Sequence, residues 1–257
     1  MTTPDAENSE NKQRQLAGTL IEKIESGELA PGDKIATFDE LASEYGVSLT
    51  VVRNAIDALK QLGLLVTHQG KGTFVRKKPV VRRHGTDRYG RGVWGGGRAI
   101  LVAEAEAQGI EAKQEIRELA WVPAPPFVAE RFGIEVGTEV WVRRRTTLIN
   151  ERPNQLGDSY YERAVVEGTR IMQENTGPGG GFKVLEDNGY PLVDIQEELS
   201  TRMPSWQESG VLHLSPGTPV IDLIRTTYTT GDKPVEVFRA VIAGDMASFV
   251  YKFPVPE

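Results

Sequence analysis

The stretch TFDELASEYGVSLTVVRNAIDALKQLGLLV, residues 37–66, decides the fold of the first part of the chain. Thr37 reads as a helix N-cap, and Glu40 three residues on completes a capping-box pattern. Phe38, Leu41, Ala42 and Tyr45 form a short apolar stripe that Gly46 closes. Ser48 is a second N-cap. Val52, Ile56, Leu59 and Leu62 line one face of the helix it opens, and Gly63 ends it. Two short helices joined by Gly46-Val47 predict a helix-turn-helix. Upstream, Leu16, Leu20, Ile21 and Ile24 recur at helical spacing, Gly27 is a stop, and Pro31-Gly32-Asp33 is a turn signal. Downstream, Leu64-Leu65-Val66-Thr67 and Thr73-Phe74-Val75 predict two strands around the tight turn Gly70-Lys71-Gly72.

The second helix of such a pair is built to lie in a DNA major groove with its first residues at base edges. Its core face uses Val52, Ile56 and Leu59, so the opposite face offers Leu49, Thr50, Arg53, Asn54 and Asp57. Arg53 suits guanine or a phosphate, and Asn54 suits adenine. Ser48 and the amides of the helix start can receive a phosphate. In the hairpin, Gly70 and Gly72 allow close approach to a duplex, while His68, Lys71 and Thr73 offer charge or donors to phosphate or the minor groove. The same pattern also fits a protein-interaction module, in which Ser48 is only a cap.

The whole chain has 257 residues, a net charge of −6 and no cysteine. That length predicts one large domain or two modest ones. The absence of cysteine excludes disulfides, thiolate metal sites and cysteine nucleophiles, and it fits a reducing cytoplasm. No apolar run approaches the ~18 residues of a membrane span, so no membrane partner is expected. Met1–Asn11 is polar and acidic, which reads as a disordered tail and not a signal peptide. The acidic sum argues against nucleic acid only until it is divided. Residues 1–11 carry −3, 12–78 carry +2, 79–98 carry +4 and 99–257 carry −9. Residues 79–98, with five arginines and six glycines, read as a linker that is in part dockable onto a neighbour.

Residues 99–257 contain an internal repeat. Gly137-Thr138-x-Val140 returns as Gly217-Thr218-x-Val220, and Arg145-Thr146-Thr147 as Arg225-Thr226-Thr227, both at an offset of 80. Gly109 and Glu118-Leu119 match Gly189 and Glu198-Leu199 in the same register, and Pro153 pairs with Pro234 at 81. Each copy reads strand (114–122; 194–202), short helix (125–132; 205–212), strand (140–149; 219–230), turn, strand (154–161; 235–243). Two β-α-β-β copies predict one α+β domain with a pseudo-twofold axis. Phe182, Leu185 and Gly189 mark a further short helix between the copies. No catalytic signature stands out, and His213 lacks partners at metal-ligand spacing. No metal and no cofactor are expected. Arg143 and Arg145 share one strand face and Arg144 takes the other. Beside Gly177-Pro178-Gly179-Gly180-Gly181 they suit a carboxylate or phosphate, or else a salt-bridged solvent face. Glu236 can receive a ligand hydroxyl or amine, or pair with Arg225 or Arg239.

The run Leu41-Ala42-x-x-Tyr45-Gly46-Val47-Ser48, Val52-Arg53-x-Ala55-Ile56-x-x-Leu59, Gly63-Leu64-Leu65 and Gly70-Lys71-Gly72-Thr73-Phe74-Val75, preceded by Pro31-Gly32-Asp33-Lys34, resembles the winged helix-turn-helix of GntR-family bacterial transcription regulators. The resemblance implies a homodimer, usually a repressor, on a near-palindromic double-stranded operator, with Lys34 among its DNA contacts. The family's usual Pro-Ser-Glu-Arg run is here Ala36-Thr37-Phe38-Asp39, and Leu49 and Val51 stand where Arg and Thr are common. Residues 100–253 are similar to the UTRA effector-binding domain of the HutC subfamily, a fold shared with chorismate lyase. That likeness implies a small-molecule effector, anionic in one reading, near Arg143, Arg145, Thr147, Tyr160, Gly180, Gly181, Phe182 and Glu236. In the family's sugar-phosphate sensors two arginines and a serine hold the phosphate. Here they correspond to Arg145, Thr147 and Gly180-Gly181, a departure that leaves open a repressor with no ligand. A lyase-type enzyme is the remaining and weaker reading.

Overall fold

The computed structural model describes residues 4–77, 81–85, 87–94, 100–253 and 255. The chain divides into two units, Met1–Lys78 with Leu214–Thr218, and Pro79–His213 with Pro219–Glu257.

In the first unit α1 spans Pro4–Glu25, α2 Phe38–Tyr45 and α3 Leu49–Gln61. Helix α1 begins at Pro4, so residues 4–11, expected as a disordered tail, are helical, and residues 1–3 lie outside the described residues. The capping box of α2 is formed: the Glu40 amide donates to Thr37 Oγ1, and Glu40 Oε2 accepts from the Thr37 amide at 2.7 Å. Gly46 ends α2 with φ 61°, a left-handed turn that favours glycine. Ser48 caps α3 by accepting from the Val51 amide. The apolar faces of the three helices meet in one core of Leu16, Leu20, Leu41, Val52, Ile56 and Leu59, closed by Leu65 and Val75. Burying each such side chain contributes about 1.5–3 kcal/mol. Strands β1 (Leu65–His68) and β2 (Gly72–Val75) form an antiparallel hairpin in which Leu65 faces Val75 and His68 faces Gly72.

The second unit opens with β3 (Val81–His84), a 3-10 turn at Asp87–Tyr89, α4 (Arg91–Trp94) and α5 (Ile100–Glu106). The described part of the expected linker over 79–98 is therefore structured and belongs to this unit. The repeat follows: β4 (Ala112–Pro123), α6 (Pro126–Phe132), β5 (Glu139–Ile149) and β6 (Arg152–Tyr161), then α7 (Arg163–Val166) and α8 (Gly180–Asp187). The second copy is β7 (Leu192–Arg202), α9 (Trp206–Val211), β8 (Val220–Thr229) and β9 (Lys233–Ala243), and β10 (Ala247–Val250) ends the unit. The six long strands make one sheet in the order β4-β5-β6-β9-β8-β7, all antiparallel, so the two copies meet at the β6–β9 pair. The chain's first strand in this unit, β3, pairs in parallel with its last, β10.

One face of the sheet is covered by α6, against Val142, Tyr160 and Val237. Farther along that face Arg144 pairs with Glu118 and Asp158, and Asp222 takes Arg202 and Arg239, so the cations are balanced. The opposite face, covered by Val165, Ile171, Val184 and Leu185 and by β3, encloses the cavity described next. Among the described residues no helix is long and apolar enough to cross a membrane.

Candidate functional site

Two features of the molecule are built for recognition, one in each unit. Helix α3 buries Val51, Val52, Ala55, Ile56 and Leu59 and turns Ser48, Thr50, Arg53 and Asn54 to solvent. Neither Arg53 nor Asn54 has an intramolecular partner among the described residues, whereas Asp57 is held by Lys60 at 3.0 Å. In the wing, His68, Gly70 and Lys71 are exposed. Lys34 bridges to Phe74, and its side chain crosses Gly72, where a Cβ would lie 2.6 Å from Lys34 Cε. Gly72 also has φ 116°, so both backbone and space call for glycine there.

In the second unit a cavity of about 230 Å³ is lined by Arg83, Arg88, Arg143, Arg145 and Arg225, against the carboxylates Glu104, Glu174 and Glu236. Tyr89, Tyr161, Phe182 and Phe238 supply aromatic wall, and Gly179, Gly180 and Gly181 approach it with backbone. The arginines differ in how they are balanced. Arg143 is spent on the carbonyls of Ile171, Gln173 and Glu174 and pins that loop. Arg225 donates to Glu236 at 2.5 Å and lies within 4.7 to 5.4 Å of the Phe238, Phe182 and Tyr89 ring centres. Burial opposes both charges of that pair. Their mutual attraction outweighs it, holding Arg225 above and Glu236 below its ordinary pKa. The Tyr161 hydroxyl also donates to Glu236, at 2.8 Å. Arg88 pairs with Glu197 and stacks on Tyr89.

Arg83 and Arg145 have no carboxylate in ion-pairing contact among the described residues. Arg83, 3 % exposed, donates only to Asn154 Oδ1 at 3.2 Å. Burial, and then the charge of Arg88, pushes its pKa down to about 10. Arg145 donates to the Ser159 hydroxyl and lies over the Phe238 ring. Burial raises the Glu104 carboxyl above its ordinary range. The Nε atoms of Arg83, Arg88, Arg143 and Arg225, with Gln155 Oε1 and Glu104 Oε2, are buried without a hydrogen-bond partner, and every one belongs to a cavity residue. Buried polar atoms are almost always satisfied, and six of the eleven orphans among the described residues belong to the lining of this cavity, which sets it apart from the rest of the fold.

A winged helix-turn-helix joined to this sheet and cavity matches known proteins along nearly its whole length. Residues 12–75 match the model of bacterial regulatory proteins of the gntR family, and residues 107–248 match the UTRA domain. A relative 34 % identical over 252 residues, an HTH-type transcriptional regulator of Streptomyces coelicolor, covers 96 % of this chain, and the match takes in 94 % of that protein. The chain belongs to the GntR family. It is a DNA-binding transcription regulator with a UTRA domain, not an enzyme. The mannosyl-D-glycerate transport/metabolism system repressor of Escherichia coli is 24 % identical to this GntR regulator over 238 residues, covering 92 % of this chain and 93 % of its own. A crystal structure of a GntR-family transcriptional regulator, 26 % identical, superposes with a TM-score of 0.65 over 95 % of this chain and 98 % of that one.

The structure sorts the residues expected from the GntR sequence. Ser48, Thr50, Arg53 and Asn54 share one exposed face, and Lys34, Gly70, Lys71 and Gly72 stand together at the wing. Thr73 does not join them: it is buried and its hydroxyl pairs with Thr67 across the hairpin at 3.0 Å. Arg143, Arg145, Gly180, Gly181, Phe182 and Glu236 do line the cavity. Tyr160 does not. Strand alternation turns it to the other sheet face, against Phe127, and puts Tyr161 in the cavity instead. Thr147 is buried outside the cavity lining, where Gln114 donates to it at 3.3 Å. Sequence reasoning missed Arg83, Arg88 and Tyr89, because a run rich in Arg and Gly reads as solvated chain. It also missed Arg225 and Gln155 as lining residues, although the repeat itself pointed to them as partners of Arg145 and Glu236.

Proposed function

We propose that this regulator is a homodimeric repressor that holds a near-palindromic operator through α3 and the wing and is released by a small anionic effector in the cavity. The observation that carries the effector reading is the cavity's excess of buried arginine over carboxylate, with four guanidinium Nε atoms left unpartnered. An anion supplies the missing charge and the missing acceptors together. Thr50, Arg53 and Asn54, exposed and without a partner among the described residues, support base reading, with the Ser48 end of α3 and the wing on phosphate. One winged head reads one half-site, so two copies on an inverted repeat follow from the resemblance and from the size of the head. Repressors among the relatives support the negative sign of control. Because Arg83, Arg88 and Tyr89 come from the segment that follows the first unit in the chain, a ligand touching them biases the conformation of that segment. This is a population shift in the ordinary sense.

The test is a screen of organic anions by thermal unfolding, followed by operator release. A true effector raises Tm in proportion to ln(1 + [L]/Kd) and lowers operator affinity in the same concentration range. A stabiliser without effect on operator binding would contradict release, and no stabiliser at all would favour a repressor governed by its own concentration.

A further inference from the structure

The pseudo-twofold axis allows one half of the cavity to be compared with the other. Arg145 on β5 and Arg225 on β8 are equivalents in the repeat. So are Gln155 on β6 and Glu236 on β9: Thr147 faces Gln155 in register as Thr227 faces Glu236, and both strand pairs shift register one step later. Arg145 and Gln155 line the cavity in the first half, and Arg225 and Glu236 in the second.

The halves differ in charge. In the second, Arg225 and the Glu236 carboxylate form an ion pair at 2.5 Å, and Tyr161 and Thr227 complete the carboxylate's bonding. In the first, a neutral carboxamide stands where the carboxylate would be. Gln155 is 5 % exposed, yet its Oε1 has no hydrogen-bond partner among the described residues. Among the described residues Arg145 hydrogen-bonds only the neutral Ser159 hydroxyl. One half is a finished arginine–carboxylate pair; its equivalent has the arginine and lacks the acid.

We infer that the missing acid belongs to the ligand: a carboxylate seats between Arg145 and Gln155 and takes the role that Glu236 plays for Arg225. A carboxylate matches the planar guanidinium with two parallel bonds. The carboxamide, turned over, presents N–H where its oxygen is now unpartnered. The Phe238 ring, 5.7 Å from the Arg145 guanidinium carbon and 4.7 Å from that of Arg225, forms a flat wall beside the seat. The ligand class is therefore a small carboxylic acid with a planar or apolar body. This inference rests on the effector reading of the cavity and narrows it.

The test uses the full-length chain, with benzoate as probe and chloride and inorganic phosphate as comparisons at equal ionic strength. Thermal unfolding is measured for the natural protein, for Gln155→Glu and for Arg145→Gln. Benzoate at about five times its Kd raises Tm by roughly 2–4 °C in the natural protein. Gln155→Glu installs the acid internally, so it raises Tm in chloride alone and abolishes the benzoate shift. Arg145→Gln abolishes the shift as well. The inference is overturned if benzoate gives no shift, if the shift survives either variant, if Gln155→Glu lowers Tm, or if phosphate stabilises and benzoate does not. Operator affinity recorded on the same samples with and without benzoate keeps the two readings apart. Stabilisation by benzoate with operator affinity unchanged would sink the effector reading and leave the carboxylate seat standing.

Discussion

Arg53 stands on the exposed face of α3 with no partner among the described residues, and that freedom is what base reading requires. Arg53→Ala should cost about 1–3 kcal/mol of operator affinity, roughly 5- to 150-fold, and leave non-specific binding nearly unchanged. Fluorescence anisotropy on operator and scrambled duplexes separates the two effects, and equal losses on both would reassign Arg53 to phosphate. Glu208 makes a different prediction. Its side chain takes Arg202 in two bonds of 2.7 Å and accepts from the Ser205 amide in the capping box of α9. The Arg202 hydrogen bonds come first in holding its pKa down to about 2. A depressed carboxylate stabilises the fold above its unfolded pKa of about 4.5 and loses that contribution as pH falls toward 2. Screened by solvent, the contribution is about 1–2 kcal/mol. Glu208→Gln should remove it at pH 7 and flatten the fall in stability between pH 4.5 and 2. At this scale the sequence was legible wherever a side chain's role follows from its neighbours in the chain, as with the Thr37 and Ser48 caps. It misled at Tyr160 and Thr73, where one step of strand alternation decides the face and a hydroxyl finds a partner across the hairpin.

At the scale of elements, α3 is fixed by its apolar face. Ile56 is fully buried in the core of the first unit, so Ile56→Ala should destabilise that unit by about 2–5 kcal/mol in denaturant unfolding. The β3–β10 pair is held by a closer fit. The Gly85 amide donates to the Val250 carbonyl at 2.8 Å, and a Cβ on Gly85 would lie 2.2 Å from the Tyr251 ring. Gly85→Ala therefore forces Tyr251 aside, at about 1–3 kcal/mol. Amide exchange at Val81–His84 should accelerate, while exchange in β5 and β8 stays as it was. Acceleration spread over the whole sheet would mean that β3 is no separate element. The repeat made the long strands readable, since each copy corroborated the other, and the observed strands lie within a few residues of the expected ones. The segment over 81–89 was not readable. Its pairing partner, β10, lies at the far end of the chain, and its buried arginines are residue types that ordinarily mark solvent.

For the whole molecule the net charge of −6 hides a division of labour. The acidic excess lies in residues 99–257, and residues 12–98 are net basic. Operator binding should accordingly weaken linearly on a log–log scale with salt, by about 0.9 per phosphate neutralised, and a flat dependence would contradict a phosphate-anchored head. The central claim is that α3 and the wing read a defined DNA sequence. It is tested most directly by selecting fragments of the source genome on the full-length protein and measuring affinity for a selected fragment and for its scrambled counterpart at one fixed salt concentration. A DNA-reading head predicts an inverted repeat in the selected fragments and an affinity ratio of at least about 10³. Equal affinity for the two would contradict it.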